Sequence, residues 1–106
     1  MIQDTIKIKE LIGKNAISME QGNSLYEKLS PLFLKYSNNK DYQLTLDFED
    51  VNVISTPFFN SSISYLLKDY SIQECQKRLI FLNLREDSKA LLNYSLHNAV
   101  IFYKNK

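Results

Sequence analysis

Glycine and proline are scarce in this chain, with two of each among 106 residues. Because both residues are concentrated in turns and flexible connections, their scarcity leaves little room for a linker between domains. It also excludes a glycine-rich loop of the kind that wraps around phosphate groups. A chain of this length can bury one core but not two. We therefore expect residues 1–106 to form a single domain.

Cysteine and histidine occur once each, as Cys75 and His97. A single cysteine cannot form a disulfide within the chain, which favours a reducing compartment and an unreactive thiol. One histidine and one cysteine cannot build a zinc site or a cysteine-histidine nucleophile from this chain alone. His97 lies near the predicted end of a helix, where the helix dipole or solvent exposure explains it better than general-base catalysis. We expect a protein that is not an enzyme and needs no cofactor.

An excess of charge and a long hydrophobic run are also missing. Thirteen basic and twelve acidic residues give a formal net charge of +1, which shows no preference for nucleic acid or anionic lipid. No segment approaches the roughly 20 apolar residues of a membrane span. The N-terminal sequence lacks the basic start and apolar centre of a secretion signal. We expect a cytoplasmic protein with no nucleic-acid partner and no membrane partner.

The most informative stretch runs from residue 44 to residue 70. Leu44, Leu46 and Phe48 alternate with polar residues, which predicts a strand with one buried face. Thr56 and Pro57 predict the start of a helix, because threonine caps unpaired backbone N–H groups and proline suits the first helical position. The spacing of apolar residues predicts a buried stripe along this central helix, formed by Phe59, Ile63, Leu66, Leu67 and Tyr70.

The opposite face of the central helix is predicted to be exposed, with Ser62 turned partly inward. Small hydroxyl-bearing residues on that face would let another protein backbone approach closely. The free N–H groups and partial positive charge of a helix N-terminus also suit a phosphate or a carboxylate. The residues predicted on the exposed face are Asn60, Ser61, Ser64, Tyr65 and Lys68.

The N-terminal part of the chain predicts one strand and one helix. Residues 5–12 alternate apolar residues with lysines, which is typical of an edge strand with one solvent-exposed face. A turn at residues 13–15 and a short extended piece at Ala16 and Ile17 follow. Ser18 and Gln21 have the spacing of a capping box, and Pro31 predicts a kink or an early end near Ser30. The predicted buried stripe of this first helix comprises Leu25, Leu29, Leu32, Phe33 and Tyr36.

The C-terminal part predicts two more strands around one more helix. After a polar connection at residues 71–77, the continuous apolar run at residues 79–84 predicts an interior parallel strand. A helix over residues 87–98 is predicted to bury Leu91, Leu92, Leu96 and Ala99, and residues 100–103 predict a short last strand. This alternation favours an α/β fold: a single layer of mostly parallel or mixed sheet, with about four strands and about three helices.

The central stretch resembles the core motif of STAS domains, the fold of anti-sigma-factor antagonists. It is still more similar to a STAS-like family of unknown function, whose pattern of LDF, V, I and a helical Phe fits Leu46-Asp47-Phe48, Val51, Ile54 and Phe58. The segment from Ile17 to Gln21 resembles that family's first helix, so the likeness spans most of residues 16–84. It implies a STAS-like domain that acts in bacterial regulation by binding other proteins.

The resemblance also points to a regulatory hydroxyl. In phosphorylatable STAS proteins the modified hydroxyl follows an aspartate at the head of the helix. Here Ser55 stands at the place of that aspartate, and the hydroxyl falls on Thr56. Phe58 and Phe59 replace a Gly-Leu pair. Phosphorylation of Thr56 is therefore an expectation from the resemblance alone, and capping of the helix is a competing role for this threonine.

Outside the helix start, few residues suggest chemistry. Asp47, Glu49 and Asp50 form an acidic cluster that could hold a magnesium ion, although Asp47 is better explained by hydrogen bonds to the amides of a turn. Most aromatic residues fall at core spacings. Three tyrosines are left as candidate surface anchors: Tyr42, Tyr94 and Tyr103.

Two functions remain open. The first is a protein-interaction module that binds a partner, such as an ATPase-kinase of the histidine-kinase-like superfamily, through a surface around Ser55 and Thr56. The second is a small-ligand or nucleotide-binding domain that holds a phosphate at the helix N-terminus. A phosphate group on Thr56 would repel an acidic partner or recruit a basic one. The sequence does not predict an oligomeric state.

Overall fold

The computed structural model describes residues 2–104. Along this part of the chain, short parallel strands alternate with helices. The elements are β1 (Gln3–Lys7), α1 (Ile8–Ile12), β2 (Asn15–Ala16), α2 (Met19–Lys35), β3 (Gln43–Asp47), β4 (Val53–Ile54), α3 (Thr56–Asn60), a 3-10 helix (Ser64–Lys68), α4 (Ile72–Arg78), β5 (Leu79–Leu82) and α5 (Glu86–Lys104).

The strands form two parallel sheets. One sheet has three strands in the order β1-β3-β5, and the other pairs β2 with β4. The α/β class and the parallel sheet are confirmed, as is the edge position of the first strand. The prediction of an interior strand at residues 79–84 is wrong, because β3 is the central strand and β5 lies at the second edge. Of β5, only Leu79 is fully buried.

The core lies where the helices cover one face of the three-stranded sheet. Leu44 and Leu46 of β3 are fully buried, whereas Thr45 between them is half-buried, so the predicted alternation is confirmed. Helix α2 contributes Leu25, Leu29 and Phe33 to the core, and α3 contributes both of its phenylalanines. Burial of these large apolar side chains is the main stabilising contribution to the fold.

Residues 5–12 do not form one strand, which corrects the N-terminal prediction. β1 ends at Lys7, and α1 begins at Ile8. Ile6 and Ile8 fit a strand period, but Ile8, Leu11 and Ile12 stand three and four residues apart and equally fit a helix. Ile8 is fully buried, and the other two pack against the core. The tertiary packing therefore selects the helical alternative.

Proline does not end the first long helix. Helix α2 runs through Pro31 to Lys35, with Leu29 and Phe33 buried on either side of the proline. A proline inside a helix costs about 3 kcal/mol. Because both flanking side chains lie in the same core, their burial offsets that cost.

The predicted capping box is confirmed: Ser18 accepts a hydrogen bond from the Gln21 N–H, and the Gln21 side chain accepts one from the Ser18 N–H.

Two C-terminal segments are helical against expectation. Residues 71–77 were expected to be a polar connection, but most of α4 (Ile72–Arg78) lies there, capped by the Ser71 hydroxyl. Residues 100–103 were expected to be a strand, but they continue α5, with Val100 and Tyr103 packed against the core at helical spacing. A short apolar run fits either element, and contact with the core decides between them.

Within residues 2–104, no helix combines the length and apolarity that a membrane crossing requires.

Candidate functional site

Ser55, and not Thr56, caps the start of α3. The Ser55 hydroxyl accepts a hydrogen bond from the Phe58 N–H at 3.4 Å and donates one to the Ile17 carbonyl at 2.6 Å. The Ser55 N–H donates to the Ala16 carbonyl at 3.0 Å, which extends the pairing of β2 with β4 by one residue. This pairing keeps Ser55 extended in the cap position, so the helix begins at Thr56, one residue earlier than a threonine cap predicts.

Thr56 is therefore the first residue of α3, and its hydroxyl has no capping role. The residue is half-buried, and within residues 2–104 no hydrogen bond engages its hydroxyl. Thr56 lines a cleft of about 470 Å³ between α3 and α5, called the threonine cleft below. The other residues of the threonine cleft are Asn60, Ser64, Tyr94, Ser95, Asn98, Ala99, Phe102 and Tyr103.

The predicted central helix is broken into two pieces. Helix α3 ends at Asn60, and a 3-10 helix begins at Ser64 after a turn. In that turn the Ser61 hydroxyl donates to the Pro57 carbonyl at 3.0 Å, and the Ser62 hydroxyl donates to the Phe58 carbonyl at 2.7 Å. Side-chain hydrogen bonds to carbonyls one turn earlier compete with the backbone ladder and bend helices.

The break changes which residues are exposed. Asn60, Tyr65 and Lys68 are exposed, as predicted, but Ser61 and Ser64 are buried, and this part of the prediction is wrong. The reason is that two long helices, α2 and α5, cover the two flanks of α3 and the 3-10 helix. The small hydroxyl groups do allow close approach of a backbone, but it is the chain's own backbone that approaches.

Helix α2 meets α3 at Gly22. A Cβ atom at Gly22 would lie 1.8 Å from Ser61 Oγ and 2.5 Å from the Phe58 carbonyl oxygen. Ser61 Oγ also donates to the Met19 carbonyl at 3.0 Å, so a hydrogen bond joins the two helices beside the glycine. This contact excludes any side chain larger than hydrogen and fixes the position of α3 on α2.

Helix α5 meets α3 through hydrogen-bonded hydroxyl groups. The Ser95 and Ser64 hydroxyl oxygens are 2.6 Å apart, and Ser95 Oγ is 2.5 Å from the Asn60 side-chain carbonyl oxygen. Both serines are almost fully buried. Ser95 was not predicted as a site residue. Its signal in the sequence is the series of small residues Ser88, Ser95 and Ala99 at helical spacing, which marks a face that packs closely.

The C-terminal helix adds the aromatic wall of the threonine cleft. Tyr94 and Tyr103 were two of the three tyrosines predicted as candidate surface anchors. Tyr94 is exposed, Tyr103 is half-buried, and both line the cleft. Leu91 was predicted to be buried but is exposed. The third predicted anchor, Tyr42, is fully buried and donates a hydrogen bond to Asp4 at 3.1 Å. Burial, and then the hydrogen bond to Asp4, raise the pKa of Tyr42.

A second cleft adjoins the first on the other side of Asn60. It has about 470 Å³ and shares Asn60 and Tyr103 with the threonine cleft. The residues that line the second cleft are Met19, Asn23, Pro57, Asn60, Ser61, Tyr65 and Tyr103. No charged side chain is among the described residues lining either cleft.

Lys68 is held in a cluster of its own. Its ammonium group lies 2.5 Å from an Asp69 carboxylate oxygen, and 5.0 and 5.4 Å from the ring centres of Tyr65 and Tyr26. The two rings meet edge to face with centroids 4.8 Å apart. The hydrogen bond to Asp69, and next the one to Tyr26, raise the pKa of Lys68, so the group stays charged. Cation–π attraction holds the exposed Tyr65 ring in place.

Asp47 is the last residue of β3, at the start of a turn, and does not line the threonine cleft. Its Oδ1 accepts hydrogen bonds from the Glu49 N–H at 3.0 Å and from the Asn83 side-chain amide at 2.8 Å. These bonds, with the Asn83 bond as the largest cause, hold the pKa of Asp47 below its ordinary value. Asp50 forms an ion pair with Lys9 at 3.7 Å. Among residues 2–104, no three acidic, histidine or cysteine side chains are grouped to bind a metal ion.

Cys75 and His97 lie outside both clefts. Cys75 is buried, and burial raises the pKa of its thiol to about 12, so the thiolate is nearly absent at neutral pH. His97 is exposed on α5 and does not line either cleft. The expectation that neither residue is catalytic stays a prediction.

The described chain is thus an α/β domain in which a broken central helix, held between two long helices, follows the end of a two-stranded parallel sheet. Residues 21–89 match the protein family described as a STAS-like domain of unknown function, and the chain belongs to that family. The match contains α3 and the 3-10 helix completely but only the first residues of α5. No curated protein and no solved structure matches the chain.

Proposed function

We propose that this STAS-like domain is a non-catalytic regulatory module that binds a protein partner around the start of α3, and that phosphorylation of Thr56 controls the binding. The observation that carries the proposal is the contrast between two neighbouring hydroxyl groups. The Ser55 hydroxyl makes two hydrogen bonds that hold the helix start. The Thr56 hydroxyl makes none within the described chain and faces a cleft. Only Thr56 can therefore be modified without breaking the cap.

The cleft also supports a switch by charge. A phosphate group adds a charge of about −2 and three strong acceptors. No cationic side chain is among the described residues that line the threonine cleft. A phosphate on Thr56 would therefore keep its charge exposed to a partner, repelling an acidic surface or recruiting a basic one. Asn60 and Tyr94 beside it would lie within the same partner contact.

The exposed aromatic residues supply the apolar part of the proposed contact. Tyr65, Tyr94 and Phe102 are exposed by 37, 62 and 65 %. Large aromatic side chains dominate the binding energy of many protein interfaces. The resemblance to anti-sigma-factor antagonists suggests an ATPase-kinase of the histidine-kinase-like superfamily, or another bacterial regulator, as the partner.

The first experiment is affinity purification of the tagged protein from its own cells, with mass spectrometry of co-purifying chains and modified peptides. We expect a stoichiometric protein partner and a phosphate on Thr56. Thr56→Glu should weaken binding of that partner by about tenfold or more, which corresponds to at least about 1.4 kcal/mol. Thr56→Val, of nearly the same shape, should bind as the native protein does but resist phosphorylation. Equal affinity of the Thr56→Glu and native proteins would exclude the switch.

A small-ligand function is the second candidate, and the two adjoining clefts favour it. Each has about 470 Å³, within the range of small-molecule sites. A nucleotide fits them poorly, because no cation is among the described residues that line either cleft and α3 has only five residues to form a dipole. A neutral ligand fits better. A thermal-shift panel of nucleotides and neutral metabolites tests this function, since a true ligand raises the melting temperature with its concentration.

A further inference from the structure

Strand β5 is an edge strand whose outer side is unprotected. Among residues 2–104, β5 pairs with β3 on one side, and no second strand pairs with its other side. Edge strands invite pairing with another chain, and proteins commonly guard them with charged residues or proline. The other edge strand, β1, is mostly polar and carries Lys7. In contrast, β5 has the sequence LIFL, with no charge and no proline.

The free hydrogen-bonding groups of this edge belong to Phe81. The Phe48 N–H donates to the Leu82 carbonyl at 2.9 Å, so the backbone groups of Leu82 point toward β3. Along a strand, the backbone groups of successive residues point to opposite sides. The N–H and C=O of Phe81 therefore point away from β3, and within residues 2–104 neither has a hydrogen-bond partner. The Leu79 N–H is already used, because it donates to the Cys75 carbonyl.

Two apolar side chains of β5 project from the face of the sheet opposite the helices, called the open face below. Phe81 shares the helix-covered face with its register partner Leu46 and lies beside Phe48, with ring centroids 6.5 Å apart. Ile80 and Leu82 therefore project from the open face, where Ile80 is half-buried and Leu82 is 47 % exposed. A partner of β5 must supply backbone groups for Phe81 and apolar side chains for the other two.

We propose that β5 pairs antiparallel with β5 of a second copy of this chain, which joins the two sheets into one continuous sheet. A two-fold axis passes between the two Phe81 residues, and each Phe81 N–H donates to the other Phe81 carbonyl. Ile80 then lies opposite Leu82 of the second copy, on the open face. These are the residue pairs without hydrogen bonds, in which opposed side chains come closest.

The free groups of β5 select this register. A shift of one residue would oppose Phe81 to Ile80 or Leu82, whose backbone groups already point toward β3. A shift of two residues would oppose Phe81 either to Leu79, whose N–H is already used, or to Asn83, whose φ of 60° ends the strand.

The chemistry of β5 also favours a second copy as its occupant. The strand has no charge that could pair with an acidic or a basic peptide. A second copy presents the same strand, so it supplies both the backbone groups and the apolar side chains that this edge lacks. Because β5 has only four residues, the ladder is short and the contact is small. We therefore expect a weak dimer that forms reversibly as the protein concentration rises.

The pairing of β5 does not depend on the proposed function. No residue of β5 is among the described residues that line the threonine cleft. The two copies therefore meet outside the surface proposed for the protein partner. Loss of dimerisation would leave the proposal about Thr56 intact, and the reverse also holds.

Sedimentation equilibrium of the full chain tests the dimer. From about 10 μM to about 1 mM, the average mass should rise from that of the monomer towards twice that value. Leu82→Lys should weaken association by about tenfold or more. Val53→Lys is the matched control, because Val53 lies on β4 and is exposed to a similar extent, 51 %. It should associate as the native chain does.

Two results of this experiment would overturn the proposal. One is a native chain that stays monomeric at about 1 mM. The other is equal association of the native chain and the Leu82→Lys variant, since the contact would then lie elsewhere.

Disulfide capture tests the register. Opposed residues without hydrogen bonds have Cα atoms about 4.5 Å apart, which a disulfide can span. Under mild oxidation, an equimolar mixture of Ile80→Cys and Leu82→Cys should form a disulfide-linked dimer several-fold faster than either variant alone. The native Cys75 is buried. A mixture of Leu82→Cys and Val53→Cys is the control and should show no such gain. Equal rates in both mixtures would overturn the register.

A measurement on the native chain does not depend on how the variants fold. In amide NMR spectra recorded at low and high concentration, the resonances that move should belong to residues 79–83. Exchange of the Phe81 amide hydrogen should slow as the concentration rises, because the dimer gives this N–H an acceptor. Movement confined to α2 or α5 would contradict the proposal.

Discussion

Helices α2 and α5 flank the same short helix, but they hold it in opposite ways. On the α2 side, Gly22 brings the backbones so close that a Cβ atom would meet the Phe58 carbonyl oxygen at 2.5 Å. On the α5 side, Ser95 reaches Asn60 and Ser64 through hydrogen bonds. The first contact includes the hydrogen bond from Ser61 to Met19, but close steric packing at Gly22 leaves it no room to adjust. The second is polar and borders an open cleft.

The difference follows the boundary of the family match. Residues 21–89 include Gly22 and the whole of α3, whereas α5 continues for fifteen residues beyond the match, to Lys104. The family pattern therefore covers the rigid contact, and the adjustable contact belongs to the part of this chain outside it. We infer that the α2 contact keeps the fold and the α5 contact shapes the cleft.

The largest effect should come from breaking the α2 contact with Gly22→Ala. Overpacking at such a contact costs about 3 kcal/mol, offset by about 1 kcal/mol of better helix propensity. We expect a net loss of about 2 kcal/mol in the free energy of unfolding, measured by urea denaturation. Ser24→Ala on the exposed side of α2 is the control and should change stability by less than about 0.5 kcal/mol.

A second substitution sharpens the steric interpretation. Ser61→Gly in the Gly22→Ala background removes Ser61 Oγ and Cβ, two of the three atoms that the new methyl group meets. The Phe58 carbonyl oxygen remains. Relative to Ser61→Gly alone, the added Gly22→Ala should therefore cost less than it does in the native chain, but still more than zero. An equal cost in both backgrounds would show that the clash with Ser61 does not matter.

Breaking the α5 contact should have a smaller effect. Ser95→Ala leaves the Asn60 side-chain carbonyl without its donor and the buried Ser64 hydroxyl without its hydrogen-bond partner, at a cost of about 1 to 2 kcal/mol. Because the cleft lies at this contact, the same change should also alter hydrogen exchange of the α3 amides. Asn93→Ala on the exposed side of α5 should leave both stability and exchange unchanged within about 0.5 kcal/mol.

The two hydroxyl groups at the start of α3 should respond unequally to removal. Ser55→Ala removes the cap and the bond to Ile17, and should cost about 1 kcal/mol. Thr56→Val removes a hydroxyl that has no hydrogen bond in the described chain, and should cost less than about 0.5 kcal/mol. Thermal unfolding of both variants compares them directly. Equal losses would contradict the assignment of Ser55 as the cap.

The smallest effect is on the stability of the fold in acid. It arises at Asp47, which belongs to neither contact. The hydrogen bonds from Asn83 and Glu49 depress the pKa of Asp47 in the folded state below its ordinary value of 3.8. Its stabilising contribution is therefore present above that value and is lost as the pH falls through the lower, folded-state pKa. Asn83→Ala should reduce the loss of melting temperature between about pH 5 and pH 3. An unchanged acid dependence would contradict this linkage.

The parts of the fold that rest on local rules were predictable. The buried alternation in β3, the capping box at Ser18 and Gln21, and a helix start beside Pro57 all depend on neighbouring residues, and the structure confirms them. The STAS-like family was likewise predictable from the residues around Leu46, Asp47 and Phe48. The helical end of α5 was not predictable from the sequence. The apolar run from Val100 to Tyr103 fits either a strand or a helix, and only its contacts with the core decide between them.

The candidate site was predictable in its location but not in its detail. Thr56 and Asn60 lie in the threonine cleft, but the wall opposite them comes from α5, about 40 residues later in the chain. The hydroxyl that caps α3 is Ser55, because pairing of Ser55 with Ala16 keeps it extended. A bond between residues so far apart in sequence has no local signal, so a threonine followed by proline was the better local candidate.

The sequence by itself determined the elements that need only their neighbours: a half-buried strand, capped helices, the absence of a disulfide and the family. Tertiary structure alone decided that Ser61 and Ser64 face inward, that Gly22 must be glycine, and that Ser95 completes the site. The physical reason is that burial depends on what covers a residue. Periodicity shows that a helix has two faces, whereas packing of α2 and α5 decides which polar side chains become buried and must find partners.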